Sequence, residues 1–98
     1  MKDLISGLNK TFESRIRLGI MSVLMVNDSC DFNGFKDTLG VTDGNLASHL
    51  KSLEEKRLIR VNKQFVGRKP NTSYSVTEEG KRQFQLHLKT LENLINSH

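Results

Sequence analysis

A chain of 98 residues that is 36% hydrophobic and 27% charged can bury one modest core and little more, so a single domain is expected. Its one cysteine, Cys30, excludes an internal disulfide, and the N-terminal run MKDLISGLNKTFESR alternates charge with apolar residues where a leader peptide would be continuously apolar. No stretch approaches the roughly 18 apolar residues of a membrane span, and a soluble protein of the reducing cytoplasm is the expectation.

In residues 1–26, Leu4, Ile5, Leu8, Phe12, Ile16, Ile20, Val23 and Leu24 recur every three or four positions, which predicts a long first helix. Gly7 is a candidate break between an N-terminal turn and the main helix, and Asn27 and Asp28 end it. A second, short helix is expected over 31–40, with Asp31 as its N-cap, Phe32, Phe35 and Leu39 on its apolar side, and Gly40 at its C-terminal cap. Thr42 then offers a hydroxyl cap to a third helix over 42–56. Two apolar-striped helices joined by so short a link are the mark of a helix-turn-helix.

In the third helix Leu46, Leu50 and Leu53 form one buried stripe, which turns Gly44, Asn45, Ser48, Lys51 and Ser52 outward and leaves His49 on the flank. Short polar side chains near a helix N-terminus are what approach to base edges in a major groove requires. Leu58 to Val66 alternates as a strand, Ser73 to Thr77 reads as its partner, and Gly67 and Pro70 demand a turn between them. The hairpin over 58–77 therefore carries Arg68 and Lys69 at its tip. Thr77, followed by Glu78 and Glu79, opens a last helix over 78–97. There Phe84, Leu88, Leu91 and Ile95, widened by Leu94, form a coiled-coil-like seam whose distal part predicts a contact with a second copy, joined by Leu4, Ile5 and Leu8.

The charge distribution agrees with a basic reader. The chain carries +4 overall, and the stretch from Thr42 to Val76, with seven basic and three acidic residues, holds an equal excess. From Lys56 to Lys69 six basic residues occur without an acidic one. A solvated face would have the same composition, so the helix and hairpin that carry it decide the meaning.

The runs DFNGFKDTLGVTDGNLASHLKSLEEKRLI (Asp31 to Ile59) and GRKPNTSYSVTEEG (Gly67 to Gly80) resemble winged helix-turn-helix transcriptional regulators of bacteria and archaea, in the MarR and ArsR neighbourhood, especially its small single-domain members. The resemblance implies an α+β, mainly helical fold: a three-helix core, a β-hairpin wing and a long C-terminal dimerisation helix. It also implies a homodimer on a pseudo-palindromic site in double-stranded DNA, with room for a small-molecule effector between the dimer helices and the DNA-binding body. The DNA-binding candidates are Thr42, Gly44, Asn45, Ser48, His49, Lys51, Ser52, Arg68 and Lys69; the dimerisation candidates are Leu4, Ile5, Leu8, Leu88, Leu91, Leu94 and Ile95. Arg57 departs from the pattern, since such sequences often end the recognition helix with Gly.

Other functions find less support. Cys30, His49, His87 and His98 are far apart, without the paired ligands of metal-sensing relatives, so neither a metal nor a cofactor is expected. Cys30 reads as a small, partly buried apolar residue and His87 as a surface or dimer-rim residue. The sequence contains no phosphate loop, nucleophile elbow or paired catalytic carboxylates, so no enzyme is expected. A protein-interaction winged helix would present apolar or acidic groups where this helix has Asn45, Ser48, Lys51 and Ser52.

Overall fold

The computed structural model describes residues 4–96. The parts of the expected first and last helices that reach into 1–3 and 97 lie outside it, as does His98. Four α-helices and three strands follow one another as α1 (Arg15–Met25), β1 (Cys30–Asp31), α2 (Phe32–Leu39), α3 (Asp43–Glu55), β2 (Ile59–Val66), β3 (Lys69–Val76) and α4 (Glu78–Ile95), preceded by a 3-10 turn, Lys10–Glu13. This is a winged-helix fold with a long C-terminal helix.

The first helix is shorter than the apolar period of the sequence predicts. Asn9 and Ser14 both adopt extended backbone and accept hydrogen bonds from Thr11 N–H (2.9 Å) and Arg17 N–H (3.3 Å), so one caps the 3-10 turn and the other starts α1. Two caps within six positions divide the segment, while Phe12 and Ile16 keep facing inward on either side of the break. Phe12 meets Phe84 of α4 edge-on, with ring centroids 5.1 Å apart.

His87 also departs from expectation. It lies buried beside Phe12 and Phe84, and its Nδ1 accepts the backbone N–H of Asn9 at 3.0 Å. The Asn9 side-chain amide donates to Gln83 Oε1 at 3.0 Å, so two hydrogen bonds tie the N-terminal segment across α4. That segment turns a helix position that would otherwise be surface into interior.

Local chemistry sets the other helix ends. Asp31 accepts Gly34 N–H at 2.8 Å to start α2, and Gly40, with φ of 64°, closes it by donating to Lys36 C=O. Thr42 accepts Asn45 N–H at 3.3 Å to start α3, and Thr77 accepts Gly80 N–H at 2.9 Å to start α4. The C-terminus of α3 is a Schellman motif: Leu58 N–H donates to Leu53 C=O (3.0 Å), Arg57 N–H to Glu54 C=O (2.9 Å), and Arg57 takes the left-handed position with φ of 61°. Buried Leu53 and Leu58 supply the apolar contact that accompanies such an ending.

The sheet has the order β1-β3-β2, antiparallel throughout. Strand β1, which the sequence did not announce, pairs Cys30 with Tyr74 and Asp31 with Ser73. The second wing strand is longer than expected, since β3 already begins at Lys69 and the turn shrinks to Gly67 and Arg68. Gly67 has φ of 68°, as a two-residue II′ hairpin needs at its first central position. Pro70 is tolerated within β3 because β1 covers only Ser73 and Tyr74, leaving an open edge near the tip.

The core gathers Phe12, Ile20, Met21 and Leu24 with Phe35, the α3 stripe Leu46, Leu50 and Leu53, then Leu58, Ile59 and Phe84. Each such side chain contributes about 1.5–3 kcal/mol by leaving water. Their combined effect is to fix α3 against α1 and β2 with its polar face outward.

Candidate nucleic-acid interface

The buried stripe of α3 leaves Thr42, Gly44, Asn45, Ser48 and Lys51 exposed, with His49 and Ser52 half-buried beside them. Exposed Ala47 completes this face; as a small residue it lets a partner surface approach closely. Asp43 is the one acid in the first turn, and Lys36 of α2 neutralises it through an ion pair at 2.5 Å. The helix N-terminus thus presents polar groups and backbone N–H dipoles without a free anionic charge.

His49 is held from behind. Arg17 of α1 donates its Nε–H to His49 Nδ1 at 3.0 Å. An Arg Nε–H can only donate, so Nδ1 must accept and the proton of a neutral ring lies on Nε2, as a donor at the edge of the α3 face. Burial and the positive charge of Arg17 both hold the imidazole below its ordinary pKa, favouring that neutral form.

Between α3 and the wing lies a cleft of ≈ 450 Å³ whose walls include Ala47, Lys51 and Glu54 on one side and Lys63, Thr72 and Tyr74 on the other. Lys63 was not singled out by sequence reasoning. Its signal was present in the register: Lys63 pairs with Thr72, two positions outward from the Val61–Tyr74 pair, and so shares the cleft face. A second depression, of ≈ 370 Å³, brings Arg15 and Ser14 of the α1 start beside Gly40, Thr42 and Asn45. Arg15 was hidden in the sequence because the expected helix ran straight through it. Arg68 occupies the exposed turn of the wing and Lys69 the first position of β3.

The apolar candidates lie elsewhere. Leu88, Leu91 and Ile95 are exposed along α4, Leu94 is half-buried, and Leu4 and Ile5 are exposed while Leu8 is half-buried. Phe84, expected to begin the same seam, turns into the core instead, and Leu86 is exposed in addition.

Cys30 is half-buried, and burial together with the neighbouring Asp31 charge pushes its thiol up. That is the opposite of an activated thiolate. Among the described residues no group of three His, Cys, Asp or Glu side chains could hold a metal ion, and no helix is long and apolar enough to cross a membrane.

A buried-backed polar helix beside a basic two-stranded wing defines the class: the chain belongs to the winged helix DNA-binding domain family, whose model matches residues 16–95. Fold and family together make it a winged-helix DNA-binding domain of the kind found in transcriptional regulators. It is 34% identical over 79 residues to the uncharacterized protein MJ0432 of Methanocaldococcus jannaschii, spanning 81% of this chain and 86% of that protein. A transcriptional regulator homologue from Pyrococcus horikoshii OT3 superposes with a TM-score of 0.85 at 26% identity, covering 97% of this chain and 92% of that one. A putative MarR-family regulator from Enterococcus faecalis V583 shares the fold, with a TM-score of 0.76 at 21% identity over 96% of this chain and 80% of its own.

Proposed function

We propose that this protein regulates transcription as a homodimer on a pseudo-palindromic site in double-stranded DNA. One observation carries the reading: the polar face of α3, backed by buried Leu46, Leu50 and Leu53, stands across a cleft from a wing whose exposed cations include Lys63, Arg68 and Lys69. In this arrangement Asn45, Ser48 and the Nε2–H of His49 read base edges in the major groove. Thr42, Gly44 and Ser52 flank that contact, while Lys51, Arg68 and Lys69 hold phosphates.

The dimer reading rests on exposed Leu88, Leu91 and Ile95 of α4, with Leu94, Leu4, Ile5 and Leu8 contributing to the same contact. An 18-residue helix is about 27 Å long, and the molecule measures 59 Å along its longest axis against 25 and 21 Å across. For two copies of α3 to enter successive major grooves, a two-fold contact along this helix must hold them about 34 Å apart, one turn of DNA.

Two measurements test this function. Replacing Arg68 and Lys69 together by Ala removes two phosphate contacts, so the slope of log affinity against log salt should fall in magnitude by about two. An unchanged slope removes the wing from the interface. Selection of bound fragments from a random duplex pool should enrich an inverted repeat, and enrichment without two-fold symmetry would end the symmetric-dimer reading.

A further inference from the structure

Phe65 and Val66, close to the wing tip, are 73% and 62% exposed, in the middle of the most cationic part of the chain. The strand register shows which way Phe65 faces. Ile59, Val61, Lys63 and Phe65 alternate onto one face of β2, opposite Val76, Tyr74, Thr72 and Pro70 of β3. Ile59 is buried in the core, and Val61 and Lys63 line the cleft that faces α3. Phe65 with Pro70 therefore extends the cleft face outward, about 6.6 Å beyond Lys63 at the usual rise per strand residue. The core cannot cover an aromatic ring carried that far.

We propose that Phe65, backed by Pro70, is an apolar wedge for the DNA minor groove, where it packs against deoxyribose walls and a base step while Lys63, Arg68 and Lys69 hold the phosphates at the groove rims. The inference rests on the DNA-binding reading and goes beyond it. Charge complementarity selects the occupant. A minor groove is apolar at its sugar walls and anionic at its rims, and the tip has the matching order: an aromatic ring and a proline ring with cations around them and no acid between Lys56 and Lys69. Insertion of such a side chain partly unstacks a step and bends the duplex.

The chain contains no tryptophan, so Phe65→Trp introduces a single reporter at the tip. With an A·T-rich duplex about 30 base pairs long at about 50 mM salt, its emission should shift and become shielded from acrylamide on complex formation. Phe65→Ala should weaken binding roughly tenfold, the loss expected for one desolvated aromatic contact, and leave the salt slope unchanged because no phosphate contact is lost. End-to-end energy transfer across a doubly labelled duplex should report a bend with the wild-type chain that Phe65→Ala diminishes. Binding with a tryptophan still open to acrylamide, or a Phe65→Ala complex of unaltered affinity and bend, overturns the wedge while leaving the DNA-binding reading intact. Failure of the wild-type chain to bind any duplex overturns both. If Phe65→Ala instead dissociates copies of the chain in sedimentation without DNA and leaves DNA affinity unchanged, the tip is a protein contact and the wedge is wrong.

Discussion

Replacing Arg57 by Gly should make the protein more stable, although it deletes a longer, charged side chain. Arg57 sits at the left-handed position of the α3 C-terminus with φ of 61°, where a Cβ is crowded against the following carbonyl. Its side chain is exposed and, among the described residues, forms no ion pair, so truncation breaks no salt bridge of the folded state. The backbone groups that matter are retained: Arg57 N–H still donates to Glu54 C=O, and its carbonyl still accepts the Thr77 hydroxyl at 2.8 Å. The left-handed conformation costs a residue with a side chain about 1–2 kcal/mol, and glycine returns about 0.5–1 kcal/mol of that through its greater freedom in the unfolded chain. The net expectation is a gain of about 1 kcal/mol, or a thermal midpoint raised by about 4–8 °C for a domain of this size. Arg57→Ala is the proper comparison, because it removes the same charge and keeps the strain. Urea and thermal unfolding followed by circular dichroism, at matched protein concentration so that association does not move the midpoint, measures the difference. Arg57→Gly no more stable than Arg57→Ala would refute the assignment of strain to this position.

Gly80→Ala should destabilise the fold by about 3 kcal/mol, since a Cβ there would overlap the Leu58 carbonyl oxygen. That oxygen is backbone and already accepts the Thr77 N–H at 3.1 Å, so it has little freedom to yield. An unfolding midpoint equal to the wild type's would show that α4 does not approach Leu58 so closely. Arg17→Ala should raise the titration midpoint of His49, because part of what holds the imidazole down, after burial, is the Arg17 charge. A His49 resonance whose pH profile is unmoved in that variant would dissolve the Arg17–His49 pair.

Short-range chemistry can be read from the residues alone. The α3 stripe Leu46, Leu50 and Leu53 and the helix starts at Asp31, Thr42 and Thr77 need only neighbours three or four residues away, because period and capping are properties of one helix. The same holds for Gly40 at the end of α2 and for the turn residue Gly67. These were legible, and with them the outward placement of Gly44, Asn45, Ser48 and Lys51. Where distant segments meet follows from packing across the whole fold. Cys30 and Asp31 have no strand signal of their own and become β1 because β3 offers them an edge. The first helix breaks between Asn9 and Ser14, where the segment is tied across α4 by the bonds of Asn9 to His87 and Gln83. His87 is interior because Asn9 and Phe12 fold over α4, residues nearly eighty positions earlier in the chain. Arg57 accepts a strained φ because Leu58 must turn inward beside Leu53 as the chain passes from α3 into β2. In the same way His49, only a flank position by sequence, gains a fixed donor edge from Arg17 on α1. Periodicity and capping specify which face each element turns inward, but the pairing of faces is set by packing free energy summed over the whole core, which no local window contains.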